Sequence, residues 1–329
     1  MADNAHSPAA GYTALVDGFR WAIPSRFNIA EACADRWAAT DPDRTALIRY
    51  DDAGNTTAIS FGSLKTDSDR LALALRRRGL GRGDRIAILL PQSVETVLAH
   101  FAAYKLGAIA VPLAALFGPD ALSYRLKISG ARALVTDDAG LTKVSGLLDD
   151  LPDLEILLST DGPAARAEGF REALEPLDGI PAPEMIAPDD PAMMIFTSGT
   201  TGPPKGALHG TASSSAISPA SPLATNSCRS QRTPSDWAWA GGLLNALLPA
   251  LYFGVSVVFG PFRPFDPEAA LTLMATTGVQ NAFLPPTAMK MLMSVSAPRD
   301  RYDLKLRTIG TAGESLWRAA YEWSRDILG

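Results

Sequence analysis

The run MIFTSGTTGPPKGALHG, Met194 to Gly210, is where residue types and spacing most clearly point to chemistry. An apolar stretch leads into Thr197, Ser198, Gly199, Thr200, Thr201 and Gly202, then Pro203, Pro204, Lys205 and Gly206. The hydroxyls of Thr197, Ser198, Thr200 and Thr201 can donate to phosphate oxygens. The glycines let the backbone turn and bring N–H groups against an anion. Lys205 adds a positive charge of the kind that polyphosphates take up. This is not the Walker pattern, which needs Gly-Lys-Ser/Thr opening a helix. The string is read as a phosphate-binding loop that follows a strand.

The rest of the composition narrows the chemistry. The chain has 329 residues, 47% hydrophobic and 20% charged, with a net charge of −5. Lys and Arg are scattered among Asp and Glu, so no basic face for nucleic acid is expected. Cys33 and Cys228 lie far apart in sequence, and His6, His100 and His209 are dispersed. Neither a disulfide nor a metal centre is expected from them. The N-terminus lacks a basic start followed by an apolar block, so it does not read as a secretory signal. The longest apolar run, LLNALLPALYFGVSVVFG, is broken by Pro249 and Gly254 and reads as helix, turn and strand, not a membrane span. A cytoplasmic protein without an integral membrane span is expected.

The elements that must position the loop alternate along the chain. TALIRY (Thr45–Tyr50) reads as a strand and Phe61 to Arg78 as a helix. DRIAILLP (Asp84–Pro91) is a continuous apolar run of strand length, the sign of a strand covered on both faces. Ser93 to Leu106 follows as a helix with Ser93 as its cap, and AIAVPL (Ala108–Leu113) as the next strand. This is the βαβ pattern of a parallel sheet. A helix near Pro119–Ile128 and strands at Ala131–Thr136 and Leu154–Ser159 continue it. Residues 160–190, rich in Pro, Ala, Gly and Asp, read as a surface connection. The second half restarts with the strand Ala192–Thr197. It continues with a helix near Gly241–Tyr252, the strand VSVVFG, a helix from Pro267 capped by Asp266, the strand NAFLPP, a helix capped by Thr287, the strand RTIGTAG and a helix from Ser315. Residues 1–180 and 181–329 are expected to form two α/β subdomains with a nucleotide cleft between them, the general size of a domain being about 150 residues.

With these strings in hand, the chain resembles the adenylate-forming superfamily, closest to bacterial AMP-forming acetyl- and medium-chain acyl-CoA synthetases. TSGTTGPPKG looks like the phosphate loop of those enzymes. SVETVLAHFAAYKLGAIAVPL is similar to the helix–strand unit before it. TPSDWAWAGGLLNALLPALYFGVSVV and NAFLPPTAMKML are similar to the acid-pocket segments, and TIGTAGESL (Thr308–Leu316) to the glycine-acid loop on adenine.

The resemblance implies an ATP site made by Thr197, Ser198, Gly199, Thr200, Thr201, Gly202 and Lys205 at the phosphates and Gly313, Glu314 and Ser315 at the adenine. It implies an acid pocket bordered by Trp237, Trp239, Gly242, Pro285 and Thr287, although a Trp in an apolar segment is as often core as lining. The implied reaction has two steps. A short- or medium-chain carboxylate attacks the α-phosphorus of ATP, and CoA then displaces AMP to give the thioester. Magnesium bridges the phosphates. The family's Tyr-Gly-x-Thr-Glu motif, ribose Asp and C-terminal catalytic Lys have no counterpart in the 329 residues. The β-barrel and lid that carry them are expected to be absent. The alternative is therefore a non-catalytic truncated or frameshifted remnant that keeps part of a nucleotide site.

Thr211 to Arg232, TASSSAISPASPLATNSCRSQR, breaks the rhythm, with no acidic or aromatic residue and no period. It reads as a loop, or as a local frameshift. With GC-rich codons, a one-base shift of TASSSAISPAS gives His-Arg-Val-Leu-Leu-Gly-His-Leu-Pro-Gly-Val, which resembles the family at this point. The nucleotide sequence decides between the two, and codons that cannot yield those residues exclude the frameshift.

Overall fold

The computed structural model describes Asp17 and residues 23–176, 178–179, 183–197, 202–211, 230–232, 234–261 and 264–328. A helical stretch, Glu31 to Thr40, leads into the hairpin of β1 (Thr45–Tyr50) and β2 (Thr56–Ser60). Next come α1 (Phe61–Arg77), β3 (Arg85–Leu89), α2 (Val94–Lys105), β4 (Ile109–Pro112), α3 (Pro119–Ser129), β5 (Ala133–Thr136), β6 (Ile156–Ser159) and β7 (Glu168–Gly169). A second hairpin, β8 (Pro191–Thr197) and β9 (Lys205–Gly210), follows. The last part holds β10 (Ser230–Arg232), β11 (Ser256–Phe259), α4 (Pro267–Thr276), β12 (Asn281–Phe283), α5 (Pro286–Leu292), β13 (Thr308–Gly310) and α6 (Arg318–Trp323).

The strands form two sheets. One has seven strands in the order β7-β6-β5-β3-β4-β8-β9, the other six in the order β13-β12-β10-β11-β1-β2. Every pairing is parallel except the two hairpins, β1 with β2 and β8 with β9. The sheets do not divide the chain at residue 180. The hairpin at 191–210 extends the sheet built by residues 85–169, and the hairpin at 45–60 extends the sheet built by residues 230–310. Antiparallel hairpins need only a short turn, so each can be added to an edge far from its neighbours in sequence.

Burial on both faces explains the apolar runs. Ile86 and Ile88 of β3 point into the core between the sheets, while Ala87 and Leu89 point into a second core on the outer side. Val257 and Phe259 of β11 likewise join the central core, and Val258 a third core outside the six-stranded sheet. The central layer holds α1, α2 and the helical stretch 240–252, which contains a π-type turn at Leu243–Leu247. Ser60 and Ser93 start α1 and α2 by accepting the backbone N–H of Ser63 and Thr96, each at 3.1 Å. Asp266 caps α4 through the Ala269 N–H at 2.7 Å. A buried lysine ties the layer together. Lys105 on α2 reaches Asp35 at 2.9 Å and Asp69 on α1 at 2.5 Å.

Three sequence readings differ from the structure. Residues 160–190 are more than a connection, because they form β7 and a short helix that buries Phe170 and Ala173. Thr287 does not cap α5. That helix begins at Pro286 with Pro285 in the capping position, which frees the Thr287 hydroxyl for another partner. The last helix begins at Arg318, not Ser315. Most of the serine-rich segment, residues 212–229, lies outside the described residues. Its end forms β10, between β11 and β12 in the six-stranded sheet.

Candidate active site

In a parallel sheet, ligands sit beyond the carboxyl ends of strands where the strand order reverses, because adjacent connections run to opposite faces and leave a crevice. Both sheets have such a point. The chain passes from β3 to β4 on one side and later to β5 on the other, and from β10 to β11 on one side and later to β12 on the other. The segments that leave these strands meet. Gln92 follows β3, Leu116 follows β4, Pro234, Asp236 and Trp239 follow β10, and Gly260, Pro261 and Pro264 to Asp266 follow β11. Together with the first turns of α4 they enclose a cavity of about 590 Å³. Its walls are mainly apolar, with Leu116, Trp239, Phe265 and Leu273 prominent.

Three contacts lock this crevice across the two sheets. Gln92 Nε2 donates to the Ser235 carbonyl at 2.7 Å. The Asp236 carboxylate accepts from the Ala238 N–H at 3.0 Å and from the backbone of Trp237 and of Ala115 beyond β4. The Phe117 and Trp239 rings meet edge to face at 5.8 Å. Burial raises the Asp236 pKa, and those backbone donors pull it back. Sequence reading missed Gln92, Leu116, Asp236 and Phe265, since strand order is what brings them together.

The expected phosphate loop begins and ends on the β8–β9 hairpin, where Thr197 stands opposite Lys205. The Thr197 hydroxyl donates to the Lys205 carbonyl at 3.5 Å. Ser198, Gly199, Thr200 and Thr201 lie outside the described residues. Gly202 has a φ of +109°, a conformation that side-chain-bearing residues rarely adopt. Tyr124 on α3 donates to the Pro204 carbonyl at 3.0 Å and so holds the far stem of the loop. Lys205 is exposed and has no ion-pair partner among the described residues.

The glycine-acid loop follows β13, with Gly313 at φ +99° and Glu314 and Ser315 exposed. Here the Thr287 hydroxyl finds its partner, donating to Glu314 Oε2 at 2.8 Å and Oε1 at 3.0 Å. The contact brings together one residue expected at the acid pocket and one expected at the adenine. The other pocket candidates separate. Trp239 lines the cavity, half in solvent. Trp237 is fully buried with its ring 5.6 Å from that of Phe259, and it belongs to the core. Gly242 packs under the backbone of the preceding turn, where a Cβ would come within 2.4 Å of the Asp236 carbonyl. Pro285 opens α5 and does not line the cavity.

His100 and Cys33 are buried away from this surface. His100 Nδ1 meets the Tyr104 hydroxyl at 3.0 Å, and burial lowers its pKa to about 3. Burial pushes the Cys33 thiol up to about 12, so it is an inert core residue.

Several known proteins are similar to this chain in sequence or fold. The chain is 26% identical over 332 residues to the acetyl-coenzyme A synthetase of Penicillium chrysogenum, covering 94% of this chain and 50% of that protein. It is 29% identical over 340 residues to acetyl-coenzyme A synthetase 2 of Pseudomonas putida, covering 94% of this chain and 52% of that protein. The chain thus spans about half the length of these curated relatives. The solved acyl-CoA synthetase of Brucella canis superposes with a TM-score of 0.84 at 27% identity, over 99% of this chain and 59% of that one. An anthranilate CoA ligase, solved with anthranoyl-AMP, shares the fold with a TM-score of 0.82 at 22% identity, over 92% of this chain and 58% of that one. The model for the family described as AMP-binding enzyme matches residues 34–329. The chain belongs to the AMP-binding enzyme family.

Proposed function

We propose that these residues supply the ATP-phosphate loop and part of the acid-binding crevice of an AMP-forming acyl-CoA synthetase for a short- or medium-chain carboxylic acid. The observation that carries this reading is the β8–β9 hairpin. It sets Thr197 against Lys205, with Gly202 in a left-handed turn and the Pro204 carbonyl held by Tyr124. The hairpin residues would grip the phosphates through hydroxyls, backbone N–H groups and the Lys205 charge. Gly313 to Ser315 would border the adenine, with Glu314 fixed by Thr287. Trp239 and the apolar walls beyond it would exclude water from the acid. Positioning of this kind, with charge set against the phosphates, is the main protein contribution to such chemistry. Magnesium would neutralise phosphate charge, and CoA would accept the acyl group.

The test is to incubate the purified chain with ATP, magnesium, CoA and acids from acetate to decanoate, following AMP and thioester. The 329 residues contain no counterpart of the lid Lys or of the Tyr-Gly-x-Thr-Glu motif. Turnover by the chain alone is therefore expected to be absent, while ATP binding persists and is lost in Lys205→Ala. Steady AMP and thioester release, abolished by Lys205→Ala, would show that these residues suffice for catalysis. A chain that binds no ATP would overturn the assignment of residues 197–205 as the phosphate loop.

A further inference from the structure

The crevice at the strand ends is larger than a small acid needs. It encloses about 590 Å³, within the range of small-molecule sites, about 300–1,000 Å³. A methylene is about the size of a water molecule, whose share of liquid volume is about 30 Å³. A ten-carbon tail at that size takes up about 300 Å³, roughly half of the crevice. The methyl group of acetate would leave almost all of it to water. The floor suits a tail better than water, since Ala270 and Leu273 of α4 present buried apolar surface there. Leu116 and Trp239 stand at the rim, 81% and 42% exposed, and both line the crevice. Large apolar side chains left in water beside an apolar cavity gain when a ligand covers them.

Packed side chains orient such a ligand. Trp239 meets Phe117 at the rim, and the Arg125 guanidinium bridges the rings of Phe117 and Phe196. Phe196 lies on β8, one residue before Thr197. The rim therefore adjoins the strand from which the expected phosphate loop departs, and an acid whose carboxylate stays at the rim has its tail inward. The crevice also has a boundary that would stop a tail. Gln92, Gly260 and Pro261 line both this crevice and a second hollow of about 380 Å³. Arg49, Asp51, Asp52 and Glu95 stand in the walls of that second hollow. An alkyl chain passing over charged groups strips them of water at a cost, so the favourable path ends near Gln92.

We propose that the crevice is a tail chamber for straight-chain carboxylic acids of about eight to twelve carbons, entered past Leu116 and Trp239 and bounded at Gln92. The inference rests on the reading of this crevice as the acid site, and it narrows the substrate from short or medium acids to medium ones. Affinity then follows tail length, because each methylene moved from water into the chamber adds up to about fourfold.

The experiment uses the full chain and calorimetric titration with butyrate, hexanoate, octanoate, decanoate, dodecanoate and hexadecanoate, each below its micelle-forming concentration. ATP is titrated in parallel. The proteins are wild type, Leu116→Ser at the rim and Ala270→Phe on the floor, each with a thermal melt to show that it is folded. Wild type is expected to bind each longer acid more tightly, by up to about fourfold per methylene as far as dodecanoate, with no further gain at hexadecanoate. Leu116→Ser should weaken decanoate about threefold or more, and decanoate more than butyrate. Ala270→Phe should move the break to shorter acids; if it does not fold, Leu116→Ser decides alone. Equal affinity for butyrate and decanoate overturns the proposal. So does a gain that continues through hexadecanoate, or a length dependence that no folded variant alters, which marks binding elsewhere on the chain. A chain that binds decanoate as expected but not ATP keeps the chamber and loses the phosphate loop. A chain that binds ATP but does not favour longer acids keeps the loop and loses the chamber.

Discussion

The β8–β9 loop and the crevice at the strand ends are built on opposite plans. The described loop residues Lys205 and Gly202 are exposed, and the Tyr124 hydroxyl holds the far stem at Pro204. The crevice has a half-exposed rim over a buried floor at Ala270 and Leu273, with its walls locked between two sheets by Gln92, Asp236 and the Phe117–Trp239 pair. A site for a charged ligand can be open, since charge-assisted bonds supply the affinity. A site that must shelter an apolar group has to be made from core. Mutations should therefore act on binding in the first region and on folding in the second.

Trp237→Ala gives the largest expected effect. Its indole is fully buried against Phe259 behind the crevice. Truncation should cost about 3–5 kcal/mol of stability, read by denaturant unfolding. A loss below about 1 kcal/mol would show that this wall is not core and would break the contrast.

Lys205→Ala should do the reverse. Removing a charge-assisted phosphate contact costs about 1.5–3 kcal/mol of binding, or about ten- to hundredfold in ATP affinity. The melting temperature should not move, because the side chain is exposed and unpaired among the described residues. Equal ATP affinity in wild type and variant, by calorimetry, would take Lys205 out of the site.

The last effect is confined to acid pH and belongs to the interior alone. His100 has a pKa lowered to about 3 in the folded chain, against 6.5 for the free side chain. Below pH 6.5 the unfolded chain takes up a proton that the folded chain refuses, so stability falls as pH drops toward 3. The slope approaches about 1.4 kcal/mol per pH unit well inside that window. Above pH 6.5 neither state is charged at His100 and the dependence vanishes. His100→Gln should flatten melting temperatures measured between pH 4 and 6.5. An unchanged profile would mean that other groups set the acid limit.

Sequence and structure agree most closely where one signal fixes one element. The run DRIAILLP is a strand buried on both faces, Ser93 caps α2, and Asp266 caps α4. Thr287 shows where local reasoning stops. Its type suits a helix cap, but Pro286 starts α5 one residue earlier and Glu314, 27 residues on, takes the hydroxyl. β9 and β10 gave no sequence signal. The first is a glycine-flanked edge strand, and the second has three residues held by neighbours on both sides. The loop's hydroxyls, glycines and lysine were legible as a linear pattern. The crevice was not, because Gln92, Leu116, Asp236 and Phe265 become neighbours only through the order of strands in two sheets.

The placing of the first hairpin in the last-made sheet sets the order in which a growing chain can fold. β1 pairs in parallel with β11, Leu47 facing Val257. As the chain leaves the ribosome, the β1–β2 hairpin must therefore wait through the synthesis of about two hundred residues before its sheet exists. Contacts this distant in sequence close late and slowly. During that interval Ala46 and Leu47, both fully buried in the finished protein, have no sheet to enter. The first sheet likewise stays unfinished at its β4 edge until β8 arrives. The seven-stranded sheet, drawn wholly from residues 85–210, can close by that stage, but the six-stranded sheet cannot, and in the interval the nascent chain exposes an apolar hairpin of the kind that recruits chaperones.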